Sequence, residues 1–461
     1  MGILKCISPI DGKIIVERTL ASSGSIESAL EKSVQAQETW KRLSVSDRIQ
    51  YIEKMLEYFE RHKKEVAEEI TEQMGRPCQY SEGEIDGMAE RAHYMISVAE
   101  SSLSDIVIPE ANGLERKIQK KPVGTVLAVA PWNYPYLTAI NAIVPALLAG
   151  NSVILKHASQ TPLCAERFAE AFKYAKLPEG VFQYLHLSHA ETEKLVADER
   201  IQAVAFTGSV EGGYRMKQAS VNRFIGVNLE LGGKDPAYVR EDADILSVAA
   251  NLVEGVFFNS GQSCCGIERI YVHESVHDEF VQAFVEETKK LKLGNPQDKE
   301  ITIGPLVKIS AAKFVKDQVE EAVKKGAKAL INKHDFNVDN KPENYLAPQV
   351  LINVNHSMSL MTEENFGPVV GIMSVTDDKE AVRLMNDSKY GLTASIWTKD
   401  IEKTRALSEE IETGTCFVNR CDYLDPALAW TGVKNTGIGC SLSTLGFDAF
   451  VQLKSIHLRH I

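Results

Sequence analysis

The chain of 461 residues carries 63 acidic against 51 basic side chains, a formal net charge of −12. Its 44% apolar and 25% charged residues are those of a globular protein in water, and the acidic balance argues against nucleic acid or an anionic membrane as main partner. The length exceeds what one core fills, so two or three domains are expected, with room for a site buried between them. No window of about 18 uninterrupted apolar residues occurs, so no membrane span is expected. The start, MGILKCISPIDG, lacks the charged and apolar segments of a secretory leader. It also has Cys6 where a myristoylation motif wants Ser or Thr. Eight cysteines at irregular spacing, with no C-x-x-C, read as reduced thiols of an intracellular protein, and a cytoplasmic location is expected.

From Ser46, the run SDRIQYIEKMLEYFERHKKEVAEEITEQMGRP sets Ile49, Ile52, Leu56 and Phe59 on one face with charge opposite. That spacing predicts an amphipathic helix stopped by Gly75 and Pro77. The pattern changes near Lys121. KPVGTVLAVAPWNYP is an apolar, β-rich run ending at Pro131, and NAIVPALLAG follows as a buried helix capped at Gly150. NSVILKHASQTPLCAERFAEAF reads strand, loop, helix, with Thr161 as N-cap and Pro162 in the first turn. IQAVAFTGSVEGGYRMKQ repeats that unit. Beyond Gly232 the alternation resumes in IERIYVHESVHDEFVQAFVEETKKLKLGNP, VEEAVKKGAKAL and FGPVVGIMSV. Strands alternating with helices predict an α/β fold of doubly wound, parallel sheets. The tail DAFVQLKSIHLRHI reads as a terminal strand on a partner domain or subunit.

Ligands of parallel sheets bind outside the carboxyl ends of strands. Two loops qualify: one with Lys156 and Ser159, one with Gly208, Ser209, Glu211 and Gly213. A Gly-Ser turn that opens a helix offers backbone N–H groups to an anion such as pyrophosphate. G-x-G-x-x-G is absent, so a helix-start turn without ligand stays equally open. NSGQSCC sets Cys264 and Cys265 after Gly261 and Gln262. A helix beginning there would aim its positive end at the sulfur and favour a thiolate, whereas two buried structural thiols are the alternative. NLELGGKDP holds Glu230 at an apolar strand end, where desolvation makes a carboxylate a base near neutrality unless it sits in an ordinary ion pair. APWNYP holds Asn133, whose amide either stabilises an oxyanion or caps a turn. His186 and His189 lack Cys or carboxylate partners at ligand spacing, so no metal site is expected.

Five blocks in order, PWNYP, FTGSVEGG, LELGGK, GQSCC and EENFGPV, resemble those of the aldehyde dehydrogenase superfamily. The likeness runs over nearly the whole chain, through WTGVKNTGIG to the tail. It implies two doubly wound α/β domains plus a small oligomerisation element. Residues 1–103 and 123–231 would form the dinucleotide-binding domain, 232–444 the catalytic domain, and 104–122 with 445–461 the oligomerisation element of a homodimer or homotetramer. The implied reaction is oxidation of a small aldehyde to the carboxylic acid with NAD or NADP. By the resemblance, Cys264 falls on the catalytic thiol, Glu230 on the general base and Asn133 on the oxyanion-hole amide. Lys156 falls on the lysine that bonds the adenosine ribose, and Gly208, Ser209 and Gly213 on the phosphate-binding turn. Trp132 and Leu231 fall beside the cofactor, Glu364 on the carboxylate at the nicotinamide ribose, and Phe366 on the ring beside the nicotinamide.

The implied substrate pocket comprises Tyr134, Thr138, Asn141, Ser263, Cys265, Arg420, Asp422 and Tyr423, a set more polar than a fatty-aldehyde channel. Arg420 is expected either to meet a substrate carboxylate or to pair with Asp422 or Asp425. Many NAD-preferring members carry a glutamate three residues after the ribose lysine. Ser159 stands there instead, so repulsion of a 2′-phosphate is absent and NADP is expected to be accepted and even preferred, with His157 adding positive charge. KHASQTP is similar to bacterial succinate-semialdehyde dehydrogenases, which points to a short semialdehyde. Glu230 favours hydrolysis of the acyl intermediate. The alternatives are acyl transfer to coenzyme A and a catalytically silent nucleotide-binding relative.

Overall fold

The computed structural model describes residues 2–111, 114–338 and 341–459. Gly113 of the GLERKIQKKP segment and His460 and Ile461 of the tail lie outside the described residues. Two mainly parallel sheets organise the chain. The first runs in the order Gly437–Ile438, Gly226–Glu230, Ile201–Thr207, Thr125–Ala130, Ser152–His157, Phe182–Tyr184. The second runs Lys328–Ala329, Gln349–Ile352, Val369–Val375, Ile267–His273, Asp235–Val239, Thr393–Trp397, Thr415–Val418. In each, the first strand named is antiparallel to its neighbour and the rest pair in parallel. Every residue of Thr125–Ala130 and Ser152–His157 is buried, because helices cover both faces of the sheet.

The amphipathic helix spans Val45–Met74 and begins with a capping box between Ser44 and Asp47. Ile52, Leu56 and Phe59 are buried on its inner face, in the core that also holds Ala128, Leu155 and Phe168. It ends where Gly75 turns left-handed at φ 83°. Thr161 does precede the helix Pro162–Tyr174, but its hydroxyl makes no cap. It meets His157 Nδ1 at 3.1 Å, and the Leu163 N–H in the first turn donates to Gln73 Oε1 instead, at 3.1 Å. The helix expected at NAIVPALLAG starts earlier, at Pro135, and reaches Leu148.

The tail Val451–Arg459 pairs antiparallel with Leu114–Pro122, which pairs with Ile106–Ala111. The tail thus finds its strand partner within its own chain. The expected division at residue 444 is crossed in two places. Gly437–Ile438 covers the edge of the first sheet beside Glu230, and Phe447 and Phe450 enter that sheet's core. An uncovered edge strand would leave its backbone groups unpaired next to the site. No helix among the described residues is long and apolar enough to cross a membrane.

A methyl group at Gly75 would stand 2.9 Å from Pro305 Cγ, on a backbone that L side chains rarely adopt. Gly75→Ala is expected to cost about 1–3 kcal/mol. Urea unfolding should show a lower midpoint, and an unchanged one would mean that this helix end is under no constraint.

Candidate active site

The segment that carries the cysteines is a strained turn. After the helix Ile245–Phe257, residues Asn259, Ser260 and Gly261 are all left-handed, at φ 53°, 59° and 72°. Such backbone persists only where its surroundings impose it. Ser260 Oγ donates to Gly304 O at 3.0 Å, and Gln262 Oε1 accepts from Val307 N at 2.9 Å. A side chain at Gly261 would collide with the Gly367 carbonyl. Cys264 and Cys265 then form a turn, and the strand Ile267–His273 begins. No helix starts at the cysteines, so no helix end is aimed at the sulfur. The apolar β-branched run that follows them is taken up by an inner strand of the second sheet, which leaves no room for a helix.

Cys264 is half-buried, whereas Cys265 is buried and donates to Asp422 Oδ1 at 3.0 Å. The adjoining Cys264 thiol and burial push the Cys265 thiol well up, so it stays neutral. Burial pushes Asp422 up to about 7.

Asn133 lies beyond the end of the strand Thr125–Ala130. Its Nδ2 donates to Gln262 O at 3.2 Å, which leaves its second N–H free of that bond. A buried ion pair between Arg76 and Glu84 fixes both loops. Arg76 Nε donates to Asn259 Oδ1 at 3.2 Å and Nη2 donates to Asn133 O. Glu84 accepts from Tyr136 N at 2.8 Å and Leu137 N at 3.3 Å, at the start of the helix Pro135–Leu148. Sequence reasoning passed over both residues. Arg76 sits between a helix stop and a proline and Glu84 inside a polar helical run, and neither position signals burial.

Glu230 ends the strand Gly226–Glu230 and accepts from Thr207 Oγ1 at 3.1 Å and from Ser441 Oγ. Burial raises its pKa, against the pull of these donors and of Arg91. Ser441 was also missed, since nothing in the sequence ties it to a residue so far upstream.

Two cavities of about 320 and 330 Å³ meet here. Arg91, Tyr134, Asn141, Cys265, Asp422 and Tyr423 line the first. Trp132, Asn133, Gly208, Ser209, Leu231, Glu364 and Phe366 line the second. Cys264, Glu230, Thr138 and Thr207 line both. The expected substrate and cofactor sets therefore fall on opposite sides of one wall, with a few members elsewhere. Ser263 is buried behind the first cavity, with its Oγ 3.5 Å from Asp422 Oδ1. Arg420 is exposed, lies outside that lining and sets its guanidinium 3.5 Å from the centre of the Tyr423 ring. Among the described residues it forms no salt bridge with Asp422 or Asp425, and its contact is with the ring face. Lys156, Ser159 and Gly213 do not line the second cavity: Lys156 and Ser159 stand at the carboxyl end of the strand Ser152–His157, and Gly213 lies within the helix Val210–Ala219.

In the second cavity, Glu364 accepts from Gly233 N at 3.1 Å, and burial beside Glu268 pushes it up to about 8. Phe366 meets Trp132 edge-on with ring centres 5.7 Å apart. Its loop is held by Glu268, which accepts from Phe366 N at 2.9 Å and is paired with the buried Lys234 at 2.7 Å. Ser209 Oγ caps the helix Val210–Ala219 by accepting from Gly212 N, and Gly213 packs against Leu231. Lys156 is a buried residue whose ammonium has no hydrogen-bond partner among the described residues, and burial lowers it to about 8. Ser159 is exposed. His157 adds no charge: burial lowers it to about 4, so the ring is neutral near pH 7. No cluster of His, Cys, Asp or Glu among the described residues is arranged to hold a metal.

Parallel sheets that open onto two cavities with a common wall are the architecture of an α/β enzyme that brings two small ligands together. The chain belongs to the aldehyde dehydrogenase family: the model described as "Aldehyde dehydrogenase family" matches residues 2–456. It is 32% identical over 457 residues to the succinate semialdehyde dehydrogenase [NAD(P)+] Sad of Escherichia coli, covering 98% of this chain and 96% of that one. It is also 32% identical to the D-glyceraldehyde dehydrogenase (NADP(+)) of Thermoplasma acidophilum, covering 98% of this chain and 92% of that one. The solved succinic semialdehyde dehydrogenase of Streptococcus pyogenes, in complex with NADP+, superposes with a TM-score of 0.94 at 29% identity, covering 99% and 100% of the two chains.

Glu84→Gln leaves the buried Arg76 without its counter-charge and is expected to cost about 3–5 kcal/mol. Equilibrium unfolding in denaturant measures it, and a loss under about 1 kcal/mol would show that Arg76 is balanced by its other acceptors.

Proposed function

We propose that this protein oxidises aldehydes to carboxylic acids with NAD or NADP, and that its substrate is a short semialdehyde such as succinic semialdehyde. The observation that carries this reading is the common wall, where Cys264 and Glu230 face both cavities. The residues fit a dinucleotide. Lys156 is a buried cation in need of an oxygen partner, and Glu364 has one backbone donor and room to accept from a ribose diol. Gly232 keeps that approach open, since a side chain there would collide with Glu364. Lys156, Ser159, Gly208, Ser209 and Gly213 would hold the adenosine and phosphates, with Trp132, Leu231, Glu364 and Phe366 around the nicotinamide. When bound, the nicotinamide supplies the hydride acceptor.

The chain's own residues perform the rest. Cys264 thiolate attacks the aldehyde carbon, which divides one hard step into easier ones. The developing oxyanion is met by the remaining Asn133 amide N–H and the Cys264 backbone N–H. Once the substrate is at the thioester level, Glu230 takes a proton from water, and the resulting hydroxide displaces the thiolate to release the acid. The raised pKa of Glu230 suits a base that works near neutrality. An exposed Ser159 in place of a carboxylate supports use of NADP, in keeping with the NADP+ and NAD(P)+ named for the relatives.

A homodimer or homotetramer joined through Ile106–Ala111, Leu114–Pro122 and Val451–Arg459 is part of the proposal, since Val107, Leu453 and Leu458 are exposed on that sheet. A cytoplasmic location suits eight free cysteines.

With succinic semialdehyde and NADP, Cys264→Ser should lose turnover. Glu230→Gln should give a single burst of reduced cofactor, followed by a steady rate about 100-fold lower. Only ionised Glu230 accepts a proton, so kcat should fall as pH drops through a pKa above the ordinary glutamate value of 4.5. Undiminished steady turnover by Glu230→Gln would sink its role as base. Reduction of NADP that requires coenzyme A would replace hydrolysis by acyl transfer.

A further inference from the structure

Arg91 belongs to the helix Cys78–Leu103 and is 8% exposed. It is the one cationic side chain among the described residues lining the first cavity. Its Nη1 donates to Leu137 O at 2.7 Å and to Asn141 Oδ1 at 3.3 Å. Nε and Nη2 have no hydrogen-bond partner among the described residues, and no carboxylate there forms a salt bridge with it. Arg76 and Lys234, two other cations buried around the site, are each paired with a carboxylate. Glu230 and Glu84 favour its charge only from beyond salt-bridge distance, and a buried guanidinium with no anion in contact is costly, a cost that is recovered when a ligand brings one.

The carboxyl groups facing the same cavity are committed elsewhere. Asp422 accepts from Cys265 and Ser263, Glu230 from Thr207 and Ser441, and Glu90 from the Tyr423 hydroxyl at 3.3 Å. Arg91 has a fork with one arm fixed by Leu137 and Asn141 and the other arm open. That shape suits a planar carboxylate.

We propose that Arg91 is the anchor that binds the distal carboxylate of the substrate, so that specificity for an oxo acid over a neutral aldehyde is set by this one side chain. The inference rests on aldehyde oxidation at Cys264 and adds to it the residue that selects the substrate. It gives to Arg91 the task that was one of two expected for Arg420.

The test compares kcat/KM for succinic semialdehyde with that for butanal, a neutral aldehyde of the same chain length, in the full-length enzyme and in Arg91→Gln and Arg91→Lys. The wild type should favour succinic semialdehyde. That preference should fall about 100-fold in Arg91→Gln, chiefly through KM, and by less in Arg91→Lys, which keeps the charge and loses the fork. Succinate should inhibit the wild type in competition with butanal, and this inhibition should weaken in step with the preference. Should Arg91→Gln fail to fold, Arg91→Lys and succinate competition decide. A preference that survives both substitutions, or a wild type that takes butanal as readily and ignores succinate, would overturn the assignment while leaving aldehyde oxidation intact. A wild type that turns over neither aldehyde would remove the functional reading beneath it.

Discussion

Arg76 is the point where the two halves of the site are tied. It leaves the end of one long helix, is buried with Glu84, and reaches the backbone of Asn133 on one loop and the side chain of Asn259 on the other. Glu84 in turn accepts from the first amides of the helix that follows Asn133. An amide donor and a sulfur that belong to different sheets are thereby set in one frame. Catalytic geometry tolerates little play, so such a brace matters more for position than for net stability, which a buried ion pair supplies only weakly.

The brace also explains how a strained turn survives. Asn259 and Ser260 stand in left-handed backbone that their side chains disfavour, and each is held by hydrogen bonds to a neighbouring segment. Gly261 and Gly367 then pass too closely for any side chain. The outcome is a half-buried Cys264 at the meeting of two cavities, beside a Cys265 that is locked onto Asp422. Chemically similar neighbours are thus given different work by burial and partners.

The charges of the molecule divide in the same manner. The chain as a whole is acidic, yet two buried cations without a salt bridge among the described residues stand on the first sheet's side of the site, Arg91 in the lining of the first cavity and Lys156 at the end of the strand Ser152–His157. Surface charge is screened over about 8 Å at physiological salt, whereas a buried cation is not. An anionic ligand therefore meets attraction where it binds, in spite of the net charge. The acids around the site, Glu230, Glu364 and Asp422, are all raised by burial, which reduces the negative charge that such a ligand would face.

Local pattern carried a large part of this. Helix spacing from Ser46, the continuous apolar strands ending at Ala130 and His157, and the Gly-Ser turn at Gly208 are short-range features, and short-range sterics and burial decide them. The five motif blocks named Cys264, Glu230 and Asn133 because each lies within a short contiguous run whose residues resemble the family's. What lay out of reach were contacts between distant segments. The pairing of Arg76 with Asn259, Ser441 with Glu230 and Arg91 with Asn141, the stacking of Arg420 on Tyr423 and the neutrality of His157 depend on which side chains share a buried volume. A polar residue announces its chemistry in the sequence, but its partner and its dielectric surroundings exist only once the chain has closed around it. The sequence by itself determined the α/β elements and the candidate site side chains, and the tertiary structure alone decided which of them are charged, which are paired and which are left open to a ligand.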